Sequence, residues 1–264
     1  MALVISNLPV ANYMTPYPIS VDPDVTFSKA VNFMAERGFG NLIISDGVIP
    51  IGILTEREII SAVSSGKVTT NLKVKDMGFQ PFVKIYLGNT ILDAASLMIR
   101  EKQRPLVFAD KDKLVGIITI SDMLRAFRKT SNAPSLEEVA SSNIVKCKYD
   151  DSILHAVKIL HEKRIGSLIV DKDGHYGIFT ERDLLVHVLA NNVALTGEVG
   201  GYSSFPLVVA KQGIKGNQAA SIMAANNIKR LGLVDSNDLL VGIVTARDVV
   251  DAYQSTFATL NTKE

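Results

Sequence analysis

Several things are missing from this sequence, and each absence narrows what it can be. Cys147 is the only cysteine. No disulfide can form within the chain, and a reducing, cytoplasmic setting is expected. No run of about 18 uninterrupted apolar residues occurs, so no membrane-spanning helix is expected. Met1 to Val10 is mildly apolar but has no basic flank, so no signal peptide is expected either. Neither sign of charge dominates, since 28 Lys and Arg face 27 Asp and Glu for a net charge of +1. That balance gives no electrostatic case for nucleic acid or for an anionic membrane. What the chain does have is apolar residues, 47% of 264. This is enough for a substantial core in one or two domains.

It also has a repeat. Gly177-Ile178-Phe179-Thr180-Glu181-Arg182-Asp183 returns as Gly52-Ile53-Leu54-Thr55-Glu56-Arg57-Glu58, as Gly116-Ile117-Ile118-Thr119-Ile120-Ser121-Asp122 and as Gly242-Ile243-Val244-Thr245-Ala246-Arg247-Asp248. In chain order the glycines are spaced by 64, 61 and 65 residues, the period of one supersecondary unit copied four times. Each junction passes from a short buried strand into Thr-x-x-Asp/Glu and then an apolar helical pattern. A Thr with an acid three residues on is the capping-box spacing, in which hydroxyl and carboxylate satisfy free backbone N–H groups. A helix start of this kind also attracts phosphate.

The rest of the unit follows from periodicity. Upstream of each glycine lies a stripe at i, i+3, i+4 and i+7: Phe27, Ala30, Val31 and Met34; Ile91, Ala94, Ala95 and Met98; Ile153, Ala156, Val157 and Leu160; and Gly216, Ala219, Ala220 and Met223. That spacing predicts an amphipathic helix in each copy, with Gly216 a weak start to the last. Two β-branched runs follow, separated by the acidic turns Asp46-Gly47, Asp110-Lys111-Asp112, Asp171-Lys172-Asp173-Gly174 and Asp235-Ser236-Asn237-Asp238. They read as β-hairpins. A further strand opens each copy near Pro18–Val21, Phe82–Tyr86, Ile144–Lys148 and Pro206–Val209. The fold class is therefore α/β of the mixed α+β kind, four strand–helix–strand–strand–helix units. None can cover its own apolar faces at about 60 residues, so the copies must pack in pairs. The longest polar break, Lys129 to Ser135, divides the chain into 1–130 and 131–264, with copies at 13–64, 76–129, 141–190 and 200–255.

This order of elements, with Gly-hydrophobic-x-Thr-x-x-Asp at the last strand-to-helix junction, resembles the CBS domain over residues 13–255. Two such domains form a Bateman module. The resemblance implies two modules in a flat disc, binding adenine nucleotides such as AMP, ADP or ATP, or related adenosyl compounds, in clefts between paired domains. It implies a non-catalytic sensor or regulatory subunit, with no other cofactor and no metal, that reports to a protein partner. The protein would be a monomeric disc or a homodimer. An ionised Asp at a helix start can accept hydrogen bonds from both ribose hydroxyls. Carried over from the family, ribose contact falls to Asp183, Asp248 and Asp122, beside Thr180, Thr245 and Thr119. Arg182 and Arg247 stand in the first helical turn. Lys163-Arg164, Lys229-Arg230 and Gln103-Arg104, 12 or 13 residues before their glycines, are placed for phosphate. Asp151 and Asn89 match positions near the adenine. The first copy departs from the pattern, with Glu58 in place of Asp, Gly40 at the matching distance and Arg37 three residues earlier. The resulting order of sites puts the third copy first, then the fourth, the second and the first.

Other readings stand beside this one. Each Thr-x-x-Asp can be a helix cap alone, worth ~1 kcal/mol. The ligand can instead be S-adenosylmethionine, which does not need the basic residues, or the clefts can be empty in an architectural or nucleic-acid-associated module. His155 and His161 are six residues apart, which does not place both on one helix face as metal ligands. No nucleophile has a recognisable base partner, so no catalysis is expected.

Overall fold

The computed structural model describes residues 8–109 and 112–261, with side-chain surroundings as far as Phe257. Met1 to Asn7, the Asp110-Lys111 part of the second hairpin turn and the last three residues lie outside the described residues. After β1 (Thr15–Pro16), the first copy comprises β2 (Ser20–Val21), α1 (Phe27–Arg37), β3 (Asn41–Asp46), β4 (Ile49–Thr55) and α2 (Glu56–Ser64). A short helix, α3 (Val74–Met77), leads to the second copy: β5 (Phe82–Tyr86), α4 (Ile91–Glu101), β6 (Arg104–Ala109), β7 (Lys113–Ile117) and α5 (Ile120–Phe127). The third has β8 (Lys146–Lys148), α6 (Ile153–Glu162), β9 (Ser167–Lys172), β10 (His175–Thr180) and α7 (Glu181–Asp183), which continues as a wider helical turn over Leu184–Leu189. The fourth has β11 (Val209–Lys211), α8 (Gly216–Ala225), β12 (Arg230–Val234), β13 (Leu240–Thr245) and α9 (Ala246–Asn261).

In every copy the opening strand runs parallel to the second strand, and the second and third form the expected antiparallel hairpin. The hairpin turns use their acids as the sequence suggests. Asp171 Oδ1 accepts from the Gly174 N–H at 2.9 Å, and Asp235 Oδ1 accepts from the N–H groups of Asn237 and Leu239 at 2.8 and 2.9 Å. The four helical stripes are all buried. Gly216 is more than a weak helix start. A Cβ there would lie 2.9 Å from the Tyr253 ring and 3.3 Å from Pro134, so the close approach requires glycine.

The segment ahead of each copy is borrowed by its neighbour in sequence. β1, ahead of the first copy, pairs with β7 of the second, while Gln80, ahead of the second, bridges to Ile53 of the first. Likewise Ser141 bridges to Ile243 of the fourth copy, and Ser204 to Ile178 of the third. The side chains of Phe79, Met14 and Phe205 and the carbonyl of Ser141 lie where a Cβ would stand on Gly52, Gly116, Gly177 and Gly242. The glycine that opens each repeat motif is therefore explained by this crossing segment.

The chain packs into two compact units. One holds residues 19–81 and 145–207, the first and third copies; the other holds 1–18, 82–144 and 208–264, the second and fourth. These units differ from the division at 130 and 131 expected from the polar break. The cause is that apolar helices, not linkers, determine who packs with whom. α1, α2, α6 and the turn at Leu184–Leu189 that continues α7 share one core, and α4, α5, α8 and α9 share the other. The supposed linker is itself fastened. Thr130 is buried and shares a 2.6 Å hydrogen bond with the Tyr253 hydroxyl. The Pro134 carbonyl accepts from the Gly216 N–H at 2.9 Å, and Leu136 enters the core.

Candidate functional site

All four Thr-x-x-acid motifs close as helix caps. In the third copy, Asp183 Oδ2 accepts from the Thr180 N–H at 2.8 Å and the Thr180 hydroxyl at 2.7 Å. Asp248 does the same to Thr245 at 2.7 and 2.8 Å, and Asp122 to Thr119 at 2.6 and 2.7 Å. Glu58, despite its extra methylene, also caps Thr55, accepting from its N–H at 2.9 Å and from its hydroxyl. One oxygen of every acid is thus committed to the cap, and what the acid can offer a ligand depends on the other.

The four second oxygens differ. Glu58 Oε1 accepts from the Gln80 amide at 2.7 Å. Asp122 Oδ1 is paired with Arg125, which also donates to the Tyr13 carbonyl at 2.9 Å. Asp183 Oδ1 lies 3.9 Å from His187 Nε2. Asp248 Oδ1 has no hydrogen-bond partner among the described residues. Burial raises the pKa of Asp122 and of Asp248 against the pull of their Thr caps, and also against Arg125 for Asp122 and Arg247 for Asp248. The fourth copy therefore presents a half-buried carboxylate with one uncommitted oxygen at the start of α9.

Counting from the glycines places the basic residues at the start of the second strand in the second and fourth copies but misplaces them in the third. Arg230 opens β12 and stands directly across the ladder from Thr245. Extending the β6–β7 pairing of Leu106 with Ile117 by two residues brings Arg104 opposite Thr119. In the third copy that register position is Ser167, opposite Thr180, and in the first it is Asn41, opposite Thr55. The backbone confirms the equivalence. The first helical N–H donates to Lys229 at 2.8 Å in the fourth copy, to Gly166 at 3.2 Å in the third and to Gly40 at 3.3 Å in the first. Lys163 and Arg164 instead lie in an exposed turn ahead of β9, with Arg164 at φ +53°. The third copy therefore lacks the complete set that the sequence suggested, and the arginines opposite the cap threonines belong to the second and fourth copies.

The remaining candidates sort by what they touch. Asp151 Oδ2 accepts from the Lys148 N–H at 2.8 Å, and Asn89 Oδ1 from the Tyr86 N–H at 2.9 Å, so both brace equivalent strand-to-helix turns. Arg182 reaches the Gly38 carbonyl of the first copy at 2.6 Å. Arg247 is exposed, with no hydrogen bond or ion pair among the described residues. Sequence reasoning missed Gln80, which occupies the second oxygen of Glu58. It sits in a connecting segment outside the repeat period, so nothing marked it. Among the described residues no group of His, Cys, Asp or Glu is placed to hold a metal ion, and no helix is long and apolar enough to cross a membrane.

The family model of the CBS domain matches residues 10–65, 74–129, 136–190 and 199–255. The chain belongs to the CBS-domain family. Among curated relatives of this CBS-domain protein is MJ1404 of Methanocaldococcus jannaschii, uncharacterized and 28% identical over 265 residues. The match covers 92% of this chain but only 61% of MJ1404. MJ1225 of the same organism, also uncharacterized among the curated proteins, is 27% identical over 197 residues, covering 67% of this chain and 69% of that one. The crystal structure of MJ1225, proposed as an archaeal homolog of g-AMPK, superposes with a TM-score of 0.78 at 18% identity over 93% of this chain and all of that one. An uncharacterized conserved protein from Pyrococcus horikoshii superposes at 0.65, with 20% identity over 92% of this chain and 99% of that one. At these identities the two structures show a shared fold.

Proposed function

We propose that this chain is a non-catalytic regulatory protein that binds an adenosine-containing compound. We assign the fourth copy to an adenine nucleotide such as AMP, ADP or ATP. The observation that carries this reading is the strand-to-helix junction at Thr245. There Asp248 commits one oxygen to the cap and keeps the other uncommitted, while Arg230 stands across the ladder from the same threonine. A carboxylate suited to ribose hydroxyls beside a guanidinium suited to phosphate is what a nucleotide asks for. The fold likeness to MJ1225 supports a regulatory role, with a protein partner as the reader of ligand state. A cytoplasmic setting belongs to the same proposal. It is supported by a lone cysteine, Cys147, whose thiol is pushed up to about 12 chiefly by burial.

A second reading has its own observation. Ser167 replaces the arginine opposite Thr180, so the third copy suits an adenosyl compound without phosphate, such as S-adenosylmethionine.

The test is a thermal-shift panel of AMP, ADP, ATP, NADH and S-adenosylmethionine, followed by calorimetry on Asp248→Asn and Arg230→Ala. A ligand at 100 times its dissociation constant adds ~2.7 kcal/mol, a readily visible shift. Each substitution should weaken nucleotide binding by roughly 10- to 150-fold, the loss of a hydrogen bond to a charged group. A flat response to the whole panel at millimolar concentration would defeat the reading.

A further inference from the structure

The unit built from the first and third copies contains a closed circuit of four hydrogen bonds joined by short stretches of backbone. α1 and α6 end alike. Gly38 and Arg164 both adopt left-handed φ, +67° and +53°, and their N–H groups donate to Ala35 and His161, each at 3.2 Å. The next N–H groups, of Phe39 and Ile165, reach back to Met34 at 2.9 Å and Leu160 at 3.1 Å. These are matching Schellman ends, and Gly38 and Arg164 are the same position in two copies.

Each of these two carbonyls is held by an arginine from the other copy. Arg182 donates to the Gly38 carbonyl at 2.6 Å, and Arg57 to the Arg164 carbonyl at 3.2 Å. The guanidinium of Arg57 also lies 4.0 Å from Glu181. Two residues beyond each clasped carbonyl is another anchor, where Gly40 accepts from the Glu56 N–H at 3.3 Å and Gly166 from the Glu181 N–H at 3.2 Å. Glu56 and Glu181 are the first residues of α2 and α7, two positions before the capping acids Glu58 and Asp183. The path is therefore closed. It runs from Arg57 to Arg164, Gly166, Glu181 and Arg182, then to Gly38, Gly40, Glu56 and back to Arg57. The other unit has no such circuit. Ser121 takes the place of one arginine, and Arg247 makes no hydrogen bond or ion pair among the described residues.

We propose that this circuit couples the capped helix starts of the first and third copies, so that displacing or ordering one is transmitted to the other. The two junctions then act as one regulatory pair, whereas those of the second and fourth copies act singly. The transmission follows from the circuit alone; its use by a ligand rests on the adenosine reading above. A clasp that merely fastened a surface turn would loosen only the turn when removed. A circuit loosens the next link as well.

Hydrogen exchange by mass spectrometry on the ligand-free full chain separates the two. Arg182→Ala removes the clasp on Gly38 and leaves every covalent part of the first copy intact. Exchange should quicken by roughly 2- to 10-fold at residues 38–41 and also at residues 55–58. Arg57→Ala should quicken 164–167 and 180–183 in the same way. Residues 119–122 and 245–248 serve as internal references and should not change. Arg182→Lys and Arg57→Lys keep a donor and should restore part of the protection. Quickening confined to 38–41 or 164–167 would overturn the proposal, as would equal quickening in the reference segments. A second arm adds saturating S-adenosylmethionine, the phosphate-free adenosyl probe that suits the third copy. Protection should rise at both 55–58 and 180–183 in the parent and at no more than one of them in the Arg57→Ala/Arg182→Ala protein. If S-adenosylmethionine protects neither, the adenosine reading fails for these two copies, while the ligand-free exchange still decides the circuit.

Discussion

The two units are the same pair of repeats built twice, and they are joined by opposite means. Eight residues after the cap threonine, the unit of the second and fourth copies carries Phe127 and Tyr253. Their rings stack with centroids 4.1 Å apart and planes at 19°. The unit of the first and third copies carries Val63 and Val188 at the same positions, with nothing to stack. In the first helical turn the contrast reverses. Ile120, Ser121, Ala246 and Arg247 stand where the other unit has Glu56, Arg57, Glu181 and Arg182. One unit is closed by aromatic area and leaves its helix starts untied to each other; the other has smaller side chains in the interior and ties its helix starts together with crossed arginines. The lesson is that a repeat can exchange apolar burial for directed polar contacts at its pairing face without changing its elements. The unit whose helix starts are not tied to each other is also the one that keeps its arginines opposite the cap.

The contrast can be broken most directly in the interior. Phe127→Ala should cost about 3–5 kcal/mol in urea unfolding, because a fully buried ring leaves a cavity against Tyr253. Val63→Ala, the equivalent change in the other unit, removes two carbon groups and should cost about 1.5–2 kcal/mol. Equal losses would remove the distinction between the two pairing faces. Next in size is Tyr253→Phe, which keeps the stack and deletes the hydroxyl that meets Thr130. It should cost ~1 kcal/mol, since Thr130 retains its 2.8 Å bond to the Phe127 carbonyl.

The smallest effect is a pH slope. Burial raises the pKa of Asp122 in the folded protein, so the folded state favours the protonated acid. That contribution is complete below the unfolded value and is lost as pH rises through the folded one. Asparagine has no such slope. The stability of Asp122→Asn relative to the parent should therefore improve as pH rises from mildly acidic to neutral. Chemical denaturation across that range reads it directly. The opposite slope would mean that the pairing with Arg125 outweighs burial.

Much of this architecture was legible in the sequence because the repeat states its elements four times over. The helical stripes, the hairpins and the caps of Thr55, Thr119, Thr180 and Thr245 all stand where periodicity puts them. What was not legible was anything depending on which helix meets which. Lys129 to Ser135 is polar enough to read as a linker, yet Thr130 and Pro134 are held by partners more than 80 residues away in sequence, and Leu136 just beyond is in the core. The basic pair of the third copy, Lys163-Arg164, failed for a different reason. Counting back from a glycine runs along the chain through a hairpin, whereas position opposite the cap is set across the ladder. The third hairpin is shorter, so the same count overshoots the strand and lands on Arg164. Gln80 and the crossed arginines could not be found by repeat logic at all, since each acts on a copy other than its own.

The borrowed lead segments carry a consequence for assembly. The chain passes between the two units at residues 18, 81, 144 and 207, so severing it near 130 would release two fragments that each own half of both cores. Neither fragment could bury its helical stripes alone, and recombination would become a second-order reaction governed by fragment concentration. Joined in one polypeptide, the same halves meet at an effective concentration set by the short stretch from Lys129 to Ser135. Dilution cannot part them, and each half is free to hold side chains that would suit no second copy of itself.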